Sequence, residues 1–298
     1  MSQHGEPGLV SVITATYNMA GYITETLDAI LAQDYPQLES IIVDDGSTDN
    51  TMEVLAPYLS DLRVRVVRQE NAGQTVAKNR GIAEAHGEFV AFCDADDIWR
   101  HDKLSRQIPA FADPQVGVVF ADIDCMDGEG EFLDIPAMKR VGGRVTAPLL
   151  IDNFVPFPTS VARACVLREV HGFDESLTMS IDYDLWLRIS VKYDFAYIAE
   201  PLARYRIWAG QMSNKTQERL DNFFQLLECF LAKYPHAVTQ AEEDLAWAHV
   251  FVTRGAWHAR EGRKQEALQD YGRAMRLHFF DRRLWGWVAA LVLNRAPA

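Results

Sequence analysis

Short, nearly unbroken apolar runs alternate with amphipathic stretches through the first third of the chain. Residues 9–15, 40–43, 64–67 and 87–93 each read as a strand buried on both faces, as in a parallel sheet covered by helices. Between them, Ile23, Leu27, Ile30 and Leu31 recur at helical spacing until Pro36 stops the helix. Met52, Val54 and Leu55 mark a second helix, with Ser47, Thr48 and Asp49 as natural N-caps. Val76, Ala77, Ile82 and Ala83 mark a third, which ends near Gly87. Three rounds of strand and helix before residue 95 predict an α/β fold.

Beyond Asp97 the pattern loosens. Residues 116–120 predict another strand, 127–130 a turn, and 136–148 a loop. Residues 154–160 form an aromatic-rich extended segment suited to lining an acceptor cleft. A helical period returns at residues 181–189, where Asp182 and Trp186, four apart, share a face. From Asn214 onward long amphipathic helices take over, which places a boundary near residues 210–216.

Within that tail, Gly255, Gly262, Ala267, Tyr271 and Ala274 have the spacing of one tetratricopeptide-type helical hairpin. An ordinary hairpin packed on the first domain is the alternative. The apolar residues 284–293 are too short to span a bilayer and follow Arg273, Arg276, Arg282 and Arg283. They offer a peripheral membrane contact or a protein partner, with core packing as the alternative.

The strand ends carry the chemistry. Residues 87–93 run into Asp94, Asp96 and Asp97, and carboxylates at the end of such a strand lie where open α/β sheets hold their ligands. Their repulsion is relieved by a divalent cation with oxygen ligands; an acidic turn or cap is the alternative. By the same rule Tyr17, Asp45 and Gly73 gather on that rim.

Composition narrows the partners. A net charge of −13 over 298 residues argues against nucleic acid, and means that a polyphosphate needs local positive charge or a metal. The four cysteines are scattered, with no Cys-x-x-Cys pair, which fits a reducing compartment. The N-terminus lacks signal-peptide regions and no apolar run approaches ~20 residues. The expectation is a soluble, cytoplasmic protein, with peripheral attachment at the inner face of the membrane through the C-terminal helices as an added option.

Taken in order, these pieces resemble the family-2 glycosyltransferases of GT-A fold. The resemblance rests on Val10-Ser11-Val12-Ile13 with Tyr17-Asn18, Val43-Asp44-Asp45-Gly46-Ser47-Thr48-Asp49, Asn71-Ala72-Gly73 with Lys78-Asn79-Arg80-Gly81, and Asp94-Ala95-Asp96-Asp97. It continues through Gly172-Phe173-Asp174-Glu175-Ser176, Asp182-Tyr183-Asp184-Leu185-Trp186-Leu187-Arg188 and Tyr205-Arg206. It spans residues 9–213 and implies a Rossmann-like mixed sheet there, after a disordered segment 1–8 and before a helical region 214–298.

The resemblance implies an inverting transfer of a sugar from a nucleotide-diphosphate donor, UDP-linked by preference, to a saccharide, lipid-linked or protein hydroxyl in envelope polysaccharide synthesis. Ala15, Tyr17, Asp45, Gly73, Lys78 and Asp94 would bind the donor, with Tyr17 stacking on the base and Asp45 hydrogen-bonding it. Asp94 and Asp96 would hold Mn2+ or Mg2+, and Asp182 would be the catalytic base, with a helix N-cap as its alternative role. Trp186, Trp208 and Arg206 are candidate acceptor or sugar contacts.

Four positions depart from the family pattern. Ala15 stands where Pro is frequent, and Lys78 where Arg is common, so a fork becomes a point charge. Ile181 replaces a Glu beside the base. Trp208 stands where many relatives carry His, and Trp cannot ligate a metal. A nucleotidyltransferase on a related fold would begin with a Gly-rich basic loop, which Thr14-Ala15-Thr16-Tyr17-Asn18 is not. A binding protein with a degenerate site is the remaining alternative.

Overall fold

The computed structural model describes residues 5–136, 138–211 and 216–277. The chain divides into two compact units: Met1–Val145 with Phe154–Asn214, and Thr146–Asn153 with Lys215–Ala298. The break at 214 falls where the composition changes; the small excursion at 146–153 has no such signal.

The first unit is built on a mixed sheet. Its leading half alternates β1 (Glu6–Thr16), α1 (Ile23–Leu31), β2 (Leu38–Asp44), α2 (Thr51–Leu55), β3 (Val64–Arg68), α3 (Gln74–Glu84) and β4 (Gly87–Phe92). These four strands lie parallel in the order β3-β2-β1-β4, as the apolar runs predicted. Val10, Val12, Ile41, Ile42, Val43 and Phe89 to Cys93 are buried, which is why no alternation appears in their sequence. Strand β1 begins at Glu6, inside the segment expected to be disordered; residues 1–4 lie outside the described residues.

The trailing half adds β5 (Ile98–Trp99), α4 (Lys103–Gln107), β6 (Val116–Met126), β7 (Phe132–Leu133), then β8 (Val161–Arg163), α6 (Ala164–Glu169), α7 (Ile181–Ser190) and β9 (Asp194–Arg206), with α5 (Thr146–Leu149) belonging to the second unit. The sheet continues β4-β8-β6-β9-β5, with β8 antiparallel to both neighbours and β6 parallel to β9. Strand β9 gave no periodic signal because Glu200, Pro201 and Arg204 interrupt it. Pro201 sits opposite Asp122, where the β6–β9 register shifts, and an irregularity of this kind tolerates a missing N–H.

The second unit contains α5, α8 (Thr216–Lys233), α9 (Gln240–Arg260) and α10 (Lys264–Leu277). Thr239 and Glu242 form a capping box that starts α9. Helices α9 and α10 pair closely: a Cβ on Gly255 would lie 2.8 Å from the Tyr271 ring, and Ala267 and Ala274 are fully buried. The small-residue spacing in the sequence therefore marks a real hairpin. Residues 284–293 lie outside the described residues; among those described, no helix is long and apolar enough to cross a membrane.

Candidate active site

The parallel half of the sheet brings the ends of β1, β2 and β4 side by side. The Thr16 carbonyl accepts the N–H of Asp45 at 2.9 Å, and that of Ile13 accepts the N–H of Cys93 at 3.1 Å. Tyr17, Asp45 and Asp94 thus leave adjacent strand ends. Asn18 follows in the left-handed region, at φ 55°, which Asn adopts more readily than most residues. Its Oδ1 accepts the N–H groups of Thr48 and Asp49, and its own N–H donates to Ser47 Oγ at 2.9 Å. Ser47, Thr48 and Asp49 therefore grip this turn; the N-cap position of α2 is Asn50, which makes no side-chain cap, while Asp49 Oδ1 accepts the N–H of Thr51 at 3.0 Å. Tyr17 stays 44% exposed on the rim.

Asp45 is nearly buried, and both carboxylate oxygens are engaged. Oδ1 accepts Gln69 Nε2 at 2.8 Å and the Ala72 N–H at 2.9 Å; Oδ2 accepts the Gly73 N–H at 2.8 Å. Gly73 has φ 94° and ψ 157°, a backbone region open essentially to glycine alone. The loop ahead of α3 is thereby folded over the end of β2. Beside it lies an open concavity of about 530 Å³ lined by Gly46, Arg68, Gln69, Glu70 and Asn71.

Helix α3 links two sides of the site. Lys78 is buried, with Nζ 3.0 Å from Asp94 Oδ1 and 4.1 Å from the centre of the Phe157 ring. One residue on, Asn79 donates to the Phe173 carbonyl and Glu175 Oε1, both at 2.9 Å, and accepts the Phe173 N–H at 2.8 Å. Thr75 Oγ1 donates to the Leu177 carbonyl at 2.9 Å. The segment clasped by Asn79 and Thr75 leads into α7 and Asp182.

Asp182 lies half-buried in the first turn of α7. The N-cap position is Ser180, at φ 55°, so Asp182 is not the cap. Trp186 corrects an expectation. It is fully buried, with ring centres 6.4 Å from Phe92, 6.5 Å from Phe157 and 6.3 Å from Phe195, so it packs α7 onto the core and offers no face to a sugar. Phe154 and Phe157 are likewise buried, and the aromatic segment 154–160 is core rather than cleft lining.

The three acidic side chains after β4 are engaged differently. Asp94 pairs with Lys78. Asp96 Oδ2 accepts the Trp208 indole N–H at 2.8 Å. Burial raises the Asp96 pKa, the charge of Asp94 adds to this, and the Trp208 hydrogen bond opposes it. Asp97 is fully buried and its Oδ1 accepts the Arg206 main-chain N–H at 3.0 Å. Burial, then the charges of Asp96 and Asp94, push its pKa well above the usual carboxylate value.

Arg206 is a second correction. It is buried, and its guanidinium donates to the Asp96 carbonyl at 2.9 Å, the Gly128 carbonyl at 3.1 Å and Glu25 Oε2 at 2.7 Å. It braces the acidic strand end rather than meeting an acceptor. Ala15 sits in the β1–β2 ladder opposite Val43 and packs with Ile41, Val43 and Ala77.

The site therefore gathers Tyr17, Asp45, Gly73, Lys78, Asp94, Asp96 and Trp208 about the strand ends. The sequence motifs held Asn18 and Asn79 without assigning them roles, and Gln69 and Thr75 lie outside the motifs. Asn18, Thr75 and Asn79 hydrogen-bond distant main chain and Gln69 donates to the Asp45 carboxylate, which no local pattern signals.

Residues 11–148 match the family described as Glycosyl transferase family 2. An uncharacterised glycosyltransferase of Nostoc sp. is 39% identical over 85% of this chain and 85% of its own length. The chain belongs to glycosyltransferase family 2. A Bacillus subtilis protein named for teichuronic acid biosynthesis, TuaG, is 42% identical over 42% of this chain and 51% of its own length. In fold, this glycosyltransferase is similar to S. aureus TarS 1-349 in complex with UDP-GlcNAc, with a TM-score of 0.70, 20% identity, and coverage of 96% of this chain and 88% of that one. The mannosyltransferase PcManGT from Pyrobaculum calidifontis, in complex with GDP-Man and Mn2+, gives 0.58, 23% identity, and coverage of 95% and 84%. The mixed sheet is that of the GT-A fold.

Proposed function

We propose that this glycosyltransferase moves a sugar from a nucleoside-diphosphate donor, UDP-linked by preference, to a hydroxyl of a glycan, lipid-linked or protein acceptor, with inversion at the anomeric carbon. The observation that carries the reading is the α3 arrangement. One helix closes the Asp45 loop at its N-terminus, pairs with Asp94 through Lys78 and clasps the segment leading to Asp182 through Asn79 and Thr75.

Exposed Tyr17 offers a ring on which a base can stack. Asp45 shapes the loop beside the open concavity, so its contribution to base recognition includes holding Ala72 and Gly73 in place. Lys78 supplies positive charge beside the acidic strand end, where a diphosphate needs it in a chain of net charge −13. Asp182 accepts the proton of the acceptor hydroxyl as that oxygen bonds to the anomeric carbon. The bond from that carbon to the diphosphate oxygen breaks on the opposite face, and its electron pair leaves with the nucleoside diphosphate.

The donor set fits a divalent cation in kind: Asp94 and Asp96 are hard oxygen ligands whose mutual repulsion a cation relieves. Among the described residues no cluster of three or more His, Cys, Asp or Glu side chains is placed to hold one. The two carboxylates would be the protein's ligands, with Mg2+ or Mn2+ neutralising charge on the leaving diphosphate as a Lewis acid. The names of TuaG and TarS 1-349 in complex with UDP-GlcNAc support a cell-envelope glycan acceptor and a UDP-sugar donor.

Thermal denaturation with a panel of nucleotide sugars, with and without Mn2+, tests the reading, because a ligand of the folded site raises Tm by mass action. A UDP-sugar is expected to give the largest rise. No rise with any uridine, guanosine or thymidine diphosphate sugar would overturn it.

A further inference from the structure

Trp208 occupies an unusual place for a tryptophan, with its one polar atom directed at a carboxylate of the acidic strand end. Nε1 lies 2.8 Å from Asp96 Oδ2, and an indole N–H can donate but cannot ligate a metal. The ring is held from several sides. Its centre is 5.7 Å from that of Tyr22, and the Tyr22 ring lies 4.7 Å from the Arg206 guanidinium. The Ile207 N–H donates to the Met126 carbonyl at 2.8 Å, and the Gln211 side chain donates to the Arg206 carbonyl. Arg206 is buried and fastened to Glu25, Asp96 and Gly128. The indole is therefore presented by a prearranged support.

The carboxylate that accepts that N–H lies near the like charge of Asp94. Asp94 and Asp96 carry like charge two residues apart, and a carboxylate free to rotate turns away from a like charge. A carboxylate offers about four acceptor sites, so one N–H fixes its rotation without exhausting it. Groups that hydrogen-bond to a ligating carboxylate set its orientation, and losing them typically costs 10–100-fold in metal affinity.

We propose that Trp208 is a positioning residue for a divalent cation at Asp94 and Asp96: its indole N–H holds Asp96 against rotation away from Asp94, and this strengthens the coupling between cation and nucleoside diphosphate. The proposal rests on the donor-site reading above. Trp208 thus acts on the cation through Asp96 rather than as a ligand.

The test is the affinity for UDP, by isothermal titration calorimetry on the full chain, in EDTA and in saturating Mg2+. The ratio of the two dissociation constants measures the coupling. Trp208→Phe keeps a ring against Tyr22 and removes the N–H; Trp208→Gln keeps an N–H donor without an imidazole that could ligate the cation. The expected result is that Trp208→Phe loses about tenfold or more of the coupling, with UDP affinity in EDTA and the urea midpoint unchanged, and that Trp208→Gln recovers at least part of it. Unchanged coupling in Trp208→Phe would overturn the proposal. Equal loss in both variants, or unfolding of both, would assign the effect to packing and overturn it too. Wild-type protein that binds UDP equally with and without Mg2+ would remove the cation site and the proposal while leaving the donor reading. Absence of UDP binding under both conditions would instead remove the donor reading.

Discussion

Asn79 holds Phe173 by both of its main-chain groups, accepting the N–H at 2.8 Å and donating to the carbonyl at 2.9 Å. The preceding residue, Lys78, reaches Asp94. Adjacent positions on one helix thus serve the acidic strand end and the segment before Asp182. Asn79→Ala removes both bonds to Phe173 and leaves its main chain to find water. Stability should fall by about 2 kcal/mol, and kcat by about tenfold or more through misplacement of Asp182. UDP affinity should stay within about twofold, because the donor side is untouched; calorimetry and steady-state kinetics together check the split.

Asp45 accepts three hydrogen bonds, two of them from main-chain N–H groups on either side of the Ala72–Gly73 bond. In Asp45→Asn one acceptor oxygen becomes an NH2 that faces a donor. The expected cost is about 1–3 kcal/mol in urea denaturation, together with weaker UDP binding, because the loop beside the concavity loosens. A variant as stable as wild type with unchanged UDP affinity would show that this carboxylate does not shape the site.

Lys78→Met removes the ammonium beside Asp94 while keeping an apolar stem against Phe157. Donor affinity should fall about tenfold, in line with loss of a charge-assisted contact of about 1.5 kcal/mol. Lys78→Arg should retain most of the affinity. Titration calorimetry with UDP resolves both.

Lys103 gives the clearest pH dependence. It is fully buried, its Nζ lies 3.9 Å from the Trp99 ring centre, and burial lowers its pKa from 10.5 to about 7, with neighbouring Cys93 acting in the opposite sense. The unfolded chain keeps this proton up to about pH 10.5 and the folded chain only up to about 7. Unfolding therefore takes up a proton between those values, so this group's contribution to stability rises with pH across the window. Below about 7 both states carry the charge and the full burial cost is present. Lys103→Met should stabilise the protein by about 2–4 kcal/mol at pH 7, after loss of the contact with Trp99. The gain should shrink as pH approaches 10; urea denaturation at several pH values measures it.

The leading half of the fold was legible because strands buried on both faces write their position as apolar runs, and helices between them write a period. Strand β9 was illegible for the opposite reason: its charges and Pro201 are accommodated by a register shift against β6 that only the assembled sheet provides. In the site, the placement of Asp45, Asp94 and Asp96 at strand ends followed from the strand and helix alternation, whereas Lys78, on α3, entered through the family resemblance. Trp186 was misplaced because spacing puts it on the face of Asp182 but cannot say that four positions along that face means core. Arg206 was misjudged because a motif shows a charge and not the three acceptors that the guanidinium meets. The hydrogen bond from Trp208 to Asp96 joins residues 112 apart in sequence, and nothing local announces it.

The central claim, sugar transfer from a nucleoside diphosphate with Asp182 as the base, is tested most directly by Asp182→Asn. The measurement is release of UDP from a bound UDP-sugar, alongside the donor dissociation constant, for wild type and variant. The account predicts donor affinity within about twofold of wild type and turnover reduced by about 10²–10⁴-fold, the range that general-base catalysis supplies. Turnover by Asp182→Asn at the wild-type rate would contradict it.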